Sequence, residues 1–594
     1  MRSGFDKTRS HLRMLTPPYL NGIGPKLIYF GVLTIVAIGF ALRLYALPRE
    51  SLWYDELLQL DIAQGTPPGQ GGLGSILPRL WGHSAVPLDY WMAHGWIWLG
   101  QIEAQVRMLG RSEGWMRIPA VMWGTLALPV AYQLGRNWLG ERGGLLFMAL
   151  LACSPLHIRY SQEARPYALV VLGVMLAGYA FWRMRTVGRR RYLILLQLGL
   201  LISSLAHLFA ATIIGPLLVF AGIDLIFTQN RRRLIKSGLA VLATSLIVLT
   251  ILLSLGWSAA LYHSLKNFGQ ALFHPEQFTV AAPQKPNRGP GPQIDWIFVK
   301  YDLMERMGVG DRSPWLINGL AGLGFMQLLI QKKYKLAWLL LLWLVLPVII
   351  IVAFLVYRGA FFAPRYIIHV LPAYLILLAA GTLALPEWLK RANLSWLALL
   401  LFLLLSGFIF VNFGGGLDRL YQRKNKENWR AVGELVARNA GPDDVVIAMK
   451  AEPVINWYYP RAWTPPNYYD SLEHIQAAAA KGRRTWLILS IFSSGVDAKV
   501  KSWLRQNEPE AVRFGIDPAI SVYYFGSHAT REQLLDEVRG FTLPADHLLY
   551  ASLAYENRRE PGIARQYYQL AIAGAPNDEV RAEYQQALQR LDQE

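Results

Sequence analysis

The sequence predicts a mostly α-helical, polytopic membrane protein carrying a small soluble α/β domain and a helical tail. Three observations lead there. Hydrophobic residues make up 53% of the 594 residues and the mean hydropathy is +0.26, too apolar for an ordinary soluble chain. Apolar runs close to the length of a membrane span recur about eleven times, a bilayer core needing roughly 20 helical residues per crossing. Lys and Arg gather in alternate turns between these runs, as they do in cytoplasmic loops. Much of the net charge of +19 therefore belongs to membrane orientation, and no nucleic-acid partner is implied.

The N-terminal tail holds Arg2, Lys7, Arg9, Arg13 and Lys26 and is expected in the cytoplasm. Run 27–47 lacks a small-residue cleavage site and reads as an uncleaved anchor. A long outer segment, 48–115, comes next. Within it PLDYWMAHGWIWL (87–99) is aromatic and short, so it is read as a helix lying in the interface. Had it crossed, the arginines at 183, 185 and 189–191 would lie outside.

Runs 118–134, 143–156, 168–182, 192–207, 209–227 and 234–257 then alternate across the bilayer. Arg136, Arg142, Arg183–Arg191 and Arg231–Arg233 mark their cytoplasmic turns, and YSQEARPY (160–167) marks an outer one. A Pro- and Gly-rich outer loop, 258–313, precedes runs 314–330, 336–357, 366–385 and 394–413, which turn at Lys332, Lys333, Lys335, Lys390 and Arg391.

Composition changes at 414. Residues 1–413 form the transmembrane module, with juxtamembrane helices in 48–115. A helix-like 428–438 and strand-like 445–449, 486–490 and 520–525 predict a soluble α/β domain, 414–540, on the outer face. No Gly-rich phosphate loop follows these strands, which argues against a nucleotide site. The tail 541–594 reads as helices. Leu548, Ala551, Ser552, Tyr555, Ala564, Tyr568, Ala571 and Pro576 match one tetratricopeptide repeat, a surface for a protein partner, and an ordinary helical hairpin fits as well. The single cysteine, Cys153, excludes a disulfide framework and a Cys-based metal site.

Chemistry concentrates in the outer loops. Trp53-Tyr54-Asp55-Glu56 sets two carboxylates beside two aromatic rings at the mouth of the first span. The second outer loop places Arg159 and Arg165 around Glu163, with Tyr167 next to them; Arg358 and Arg365 flank a later one, and Arg43 lies in the outer end of the first span. Outer arginines at headgroup depth suit an anionic group, because a guanidinium matches phosphate oxygens bidentately. A carboxylate beside such a phosphate can take the proton of an attacking hydroxyl or amine. Asp55, Glu56 and Glu163 are the acidic candidates. Glu56 and Glu163 could also join His83 and His207 around a divalent metal, Mg, Mn or Zn, although no spacing forms a metal signature.

At these residues the chain resembles a known family. RLYALPRESLWYDE (43–56), RIPAVMWGTLALPVAYQLGR (117–136), SPLHIRYSQEARPYAL (154–169) and APRYIIHVLPAY (363–374) are similar to the bacterial dolichyl-phosphate-mannose–protein mannosyltransferase-like family, the type C glycosyltransferases that include aminoarabinose and galacturonosyl transferases. The resemblance covers about the first 415 residues. It implies transfer of a sugar from a polyprenyl-phosphate donor to a glycan, lipid or protein acceptor, at the outer face and with inversion. It places the catalytic acid at Asp55, a further acidic position at Glu163, and the lipid phosphate at the outer loop holding Arg358 and Arg365; Arg43, Tyr54, Arg165 and Tyr167 are the further donor-binding candidates from the outer-loop chemistry. It also implies a bacterial inner membrane, with the N-terminus cytoplasmic and the C-terminal domain outside. One departure is the first-loop stretch HSAVPLDY (83–90), where many relatives carry a doubled proline.

A transporter or flippase of a lipid-linked sugar is the rival reading. Transporters place ionisable residues near the midplane on broken helices within repeated halves. Here the charged candidates sit at helix ends on one side.

Overall fold

The computed structural model describes residues 24–65, 72–80, 85–107, 112–228, 231–254, 314–358, 362–422, 426–449, 484–490, 511–517, 520–525 and a few scattered positions between 457 and 589. His83, the outer loop 258–313 and nearly all of the repeat-like tail lie outside the described residues. Two compact units emerge. The first holds Met1–Leu47, Ile62–Ala282 and Pro290–Leu420; the second holds Pro48–Asp61, Pro283–Gly289 and Tyr421–Glu594. The division differs from the expected one. The Asp55 stretch groups with the C-terminal residues, and the boundary falls at 420.

The described first unit is helical. Its helices are α1 (Pro25–Leu44), the last turn of α2 (Tyr54–Ala63), α3 (Ile76–Leu80), α4 (Pro87–Arg107), α5 (Glu113–Cys153), α6 (Pro155–Ser161), α7 (Tyr167–Thr186), α8 (Arg190–Ala206), α9 (Ile214–Phe227), α10 (Arg231–Leu252), α11 (Pro314–Ile330), α12 (Tyr334–Arg358), α13 (Leu371–Arg391) and α14 (Ser395–Gln422). Short 3-10 turns, Leu208–Ile213 and Pro364–Val370, lead into α9 and α13. Every expected apolar run is helical in its described part. Among the described residues, seven helical segments are long and apolar enough to cross a bilayer, and the pair α5–α6, bent by 58°, makes an eighth if it forms one span. α8 and α11 are 17 residues each, just short of that test. The chain is a multi-pass membrane protein. The juxtamembrane expectation for 87–99 falls within α4, which is not among the spanning candidates.

Local chemistry sets several boundaries. Gly24 precedes Pro25 at the start of α1, where proline's missing N–H goes unneeded. Ser112 caps α5 by accepting the Trp115 N–H. α5 joins two expected runs and breaks at Gly140, whose φ of 83° suits glycine, between Arg136 and Arg142. At its far end Ser154 and Pro155 stop the helix and start α6.

The core lies around α7 and the segment Pro364–Arg391, 78% and 94% buried, whereas α1 exposes most of its apolar residues. Close crossings depend on glycine. A Cβ on Gly324 of α11 would meet the Leu377 carbonyl of α13, and one on Gly381 would meet the Leu320 carbonyl. Such backbone approach is how helices pack where lipid supplies no hydrophobic drive.

In the second unit, α15 (Trp429–Asn439) buries Trp429, Val432, Leu435 and Val436, one face of a 3.6-residue repeat. Its sheet has the order β1-β2-β4-β3, with β1 (Val445–Met449) parallel to β2 (Thr485–Ser490), and β4 (Ile520–Phe525) antiparallel to both β2 and β3 (Ala511–Asp517). Three strands and the helix match the expectation. β3 went unread, although Val512, Phe514 and Ile516 alternate with Arg513, Gly515 and Asp517. Gly515 sits where the register shifts, and glycine weakens a strand pattern.

Candidate active site

Within the second unit, Asp55 stands in the first turn of α2, and residues 422–458 hold that turn. Lys426 Nζ lies 3.2 Å from Glu56 Oε2, and both side chains are buried. The same carboxylate oxygen accepts the Trp53 N–H at 3.3 Å. This is half of a capping box, since Glu56 is the third helical residue and reaches back to the cap position. Glu427 Oε2 accepts the Tyr54 N–H at 3.1 Å, and its main-chain oxygen accepts the Ser51 hydroxyl at 2.5 Å. The Tyr458 hydroxyl accepts the Leu52 N–H at 2.9 Å, and Arg430 donates to the Pro48 carbonyl at 2.9 Å. Asp55 itself is half-buried, whereas Glu56 is fully buried. The adjacent carboxylates thus have different work: Glu56 is engaged by Lys426 and the main chain, and Asp55 is the more open of the two.

Within the first unit, Glu163 lies in the turn after α6 and is 2% exposed. Arg159 Nε approaches it at 3.9 Å across one helical turn. The Glu163 carbonyl accepts the Arg165 N–H at 2.7 Å, so the loop doubles back there. The neighbouring Gln162 amide donates to the carbonyls of Arg43 and Tyr45, at 3.1 and 2.8 Å, tying this turn to the end of α1.

A row of rings extends from that turn. Tyr160 meets Tyr167 edge-on at 4.9 Å, Tyr167 meets His207 at 5.6 Å, His207 meets Phe209 at 5.6 Å, and Phe209 meets Tyr366 at 5.1 Å. Arg165 lies over the Tyr167 ring at 5.8 Å and Arg365 over the Tyr366 ring at 5.4 Å. Two guanidinium groups from distant parts of the chain therefore flank one row of rings that includes the half-buried His207, each supported on a tyrosine face. Thr212 and Trp343 hold His369 beneath, through its Nε2 at 2.9 Å and its carbonyl at 2.9 Å.

The expected site residues divide accordingly. The structure brings Arg165, Tyr167 and Arg365 together, and holds Glu163 one turn away in the same loop. Tyr54, Asp55 and Glu56 form a second group around Lys426 and Glu427. Arg43, one of the residues expected at the lipid phosphate, has a fully buried guanidinium. It donates to the carbonyls of Gly39, Ala152 and Leu151 and lies 2.6 Å from His157 Nδ1. The Leu151 and Ala152 carbonyls end α5, where Pro155 has no N–H to offer, so a cation there also faces the negative end of the helix. Arg358 is the last residue of α12, and its side chain lies outside the described part.

For a divalent metal, no cluster of three or more His, Cys, Asp or Glu residues exists among the described residues. Glu56 faces Lys426, Glu163 faces Arg159, and His207 lies among rings and cations. Among the described residues these donors do not converge on one point, and His83 lies outside them. Sequence reasoning missed Lys426, Glu427, Gln162 and His369. Only Lys426, in a Lys- and Arg-rich stretch, carried a local signal, and its surroundings resemble any solvated charge run.

Residues 95–257 match the family described as dolichyl-phosphate-mannose-protein mannosyltransferase. No curated protein matches the sequence. Among solved structures, ArnT from Cupriavidus metallidurans bound to undecaprenyl phosphate is similar at 12% identity and a TM-score of 0.51, over 83% of this chain and 97% of that one. Its apo form gives a TM-score of 0.50 at the same identity and coverage. The archaeal oligosaccharyltransferase AglB from Archaeoglobus fulgidus, solved with an inhibitory peptide and a dolichol-phosphate, is similar at 11% identity and a TM-score of 0.50, over 82% of this chain and 72% of that one. The chain thus shares its fold with the ArnT and AglB structures, and within it residues 95–257 are similar to the dolichyl-phosphate-mannose-protein mannosyltransferase family.

Proposed function

We propose that the protein is a membrane glycosyltransferase that takes a sugar from a polyprenyl-phosphate donor and passes it to an acceptor hydroxyl or amine. The observation that carries this reading is the row of rings Tyr167, His207, Phe209 and Tyr366, with Arg165 over the tyrosine at one end and Arg365 over the tyrosine at the other. Paired, aromatic-supported guanidinium groups at helix ends match a phosphate monoester or diester held at headgroup depth. The ArnT and AglB structures that share the fold were solved with undecaprenyl phosphate and a dolichol-phosphate, which supports the same ligand class here.

In the proposed reaction, the acceptor's lone pair attacks the anomeric carbon from the face opposite the phosphate. The bond from that carbon to the phosphate oxygen breaks, the configuration inverts, and the lipid phosphate leaves with its electron pair. Asp55 takes the acceptor's proton. Arg165 and Arg365 stabilise the charge that grows on the departing phosphate. Glu163, buried against Arg159 and bonded through its carbonyl to the Arg165 N–H, positions the arginines. The basic turns support a cytoplasmic N-terminus, which in this reading leaves the 160–167 loop and the C-terminal domain on the outer side of a bacterial inner membrane.

The test is release of lipid phosphate from a panel of polyprenyl-phosphate sugars by the purified full-length protein. Asp55→Asn should abolish release while the melting temperature stays within a degree or so of wild type. Wild-type release by that variant would remove Asp55 from the mechanism. No release from any donor by wild type would remove the reading itself.

A further inference from the structure

We infer that the segment at the start of the C-terminal unit, Lys426 and Glu427 above all, positions the catalytic base: its contacts set where the first turn of α2 points Asp55. The inference rests on Asp55 being the base and adds positioning residues to it.

A helix leaves its first N–H groups without partners. In α2, two of those at the entry are taken by carboxylates: Glu56 accepts from Trp53, and Glu427 accepts from Tyr54. Asp55 lies in sequence between Tyr54, whose N–H is held, and Glu56, whose side chain is held. The peptide on one side of it and the side chain on the other are therefore both anchored. Glu56 in turn is held by Lys426, with neither side chain more than 8% exposed. Breaking such a pair leaves a buried, uncompensated charge, so it resists small displacements. The chain entering the helix is held in the same way, through Ser51 on the Glu427 carbonyl and Pro48 on Arg430.

These contacts come from one short stretch, 426–430, that is separated by about 370 residues from the loop it holds. Its acceptors and donors match the loop one for one. A solvated linker, the ordinary reading of a stretch such as QRKNKEN (422–428), would make none of them. A base has to stay within a fraction of an ångström of its proton's path, and misplacement by about 1 Å can lose on the order of a hundredfold in rate.

The experiment uses the full-length protein and the lipid-phosphate release assay, with Asp55→Asn run alongside. Glu427→Ala removes the carboxylate that holds the Tyr54 N–H. It should lower kcat about tenfold to a hundredfold, leave the donor KM unchanged, and keep the melting temperature. Glu427→Gln retains an acceptor oxygen and should recover most of that loss, which a generally weakened fold would not do. Lys426→Arg should likewise exceed Lys426→Met in kcat. If Glu427→Ala does not fold, Ser51→Ala, which deletes one hydroxyl from the same set of contacts, takes its place with a smaller fall in kcat. Wild-type kcat in the folded variant, or a raised donor KM at unchanged kcat, overturns the inference while an inactive Asp55→Asn leaves the base assignment standing. An active Asp55→Asn removes the base assignment and this inference with it.

Discussion

Arg43 and the Glu56–Lys426 pair show how differently a buried charge can be used. Arg43 donates to the Leu151 carbonyl, which Pro155 leaves without its helical donor, and to the Ala152 carbonyl beside it, so its charge is part of how α5 ends. Arg43→Met should therefore destabilise the protein by at least about 3 kcal/mol, because hydrogen bonds to a charged group contribute roughly 1.5–3 kcal/mol each. Arg43→Lys should fall between, since an ammonium cannot present the planar fork that reaches several acceptors. Thermal unfolding of the purified protein measures both, and an unchanged melting temperature in Arg43→Met would refute the role. For Glu56 and Lys426, Lys426→Met alone should destabilise by about 3 kcal/mol, while adding Glu56→Gln should restore much of the loss. The double variant melting below Lys426→Met would show that the pair is not the source. The sequence marked Arg43 and Glu56 as unusual, because charge next to an apolar run stands out. It did not say what they touch. Helical spacing names the face a side chain lies on, but the partner on that face comes from elsewhere in the chain.

Individual helices were legible from apolar length and from their boundary residues. Ser112, Gly140, Pro155 and Asn428 act where local physics places them, at a cap, a turn, a break and a second cap. The pairing of helices was less legible. The sequence of α11 shows glycines, as many membrane helices do, and nothing local says that Gly324 faces Gly381. Gly324→Ala or Gly381→Ala would drive a methyl into a main-chain carbonyl and should destabilise by about 1–3 kcal/mol. Gly322→Ala, two residues from Gly324 and with no atom within 4 Å of the added carbon, should be neutral or mildly stabilising. Comparing the melting temperatures of these variants separates backbone contact from helix propensity; equal effects at 322 and 324 would exclude close contact. β3 was missed for an opposite reason: its alternation is present, but Gly515 at a register shift dilutes it.

For the whole molecule, the basic turns predict which side each loop faces. In a background lacking Cys153, a cysteine at Arg190 should react with a membrane-impermeant thiol reagent only after the cells are opened. One at Arg438, an exposed residue of α15, should react in intact spheroplasts. The reverse pattern would invert the topology and with it the placement of Asp55 outside. The division into units was not foreseen. Composition separates 1–413 from the more polar residues beyond it, yet Pro48–Asp61 groups with the C-terminal residues.

Apolar run lengths, basic turns and cap residues are local properties, so the sequence by itself determined that this is a multi-pass helical protein with a soluble α/β part, and which short loops carry its charged residues. Contacts between residues hundreds of positions apart leave no local trace, since any Lys reads alike whether solvated or buried. Only the tertiary structure decided that Glu56 meets Lys426, that Arg43 closes a helix end, and that Arg165 and Arg365 flank one row of rings.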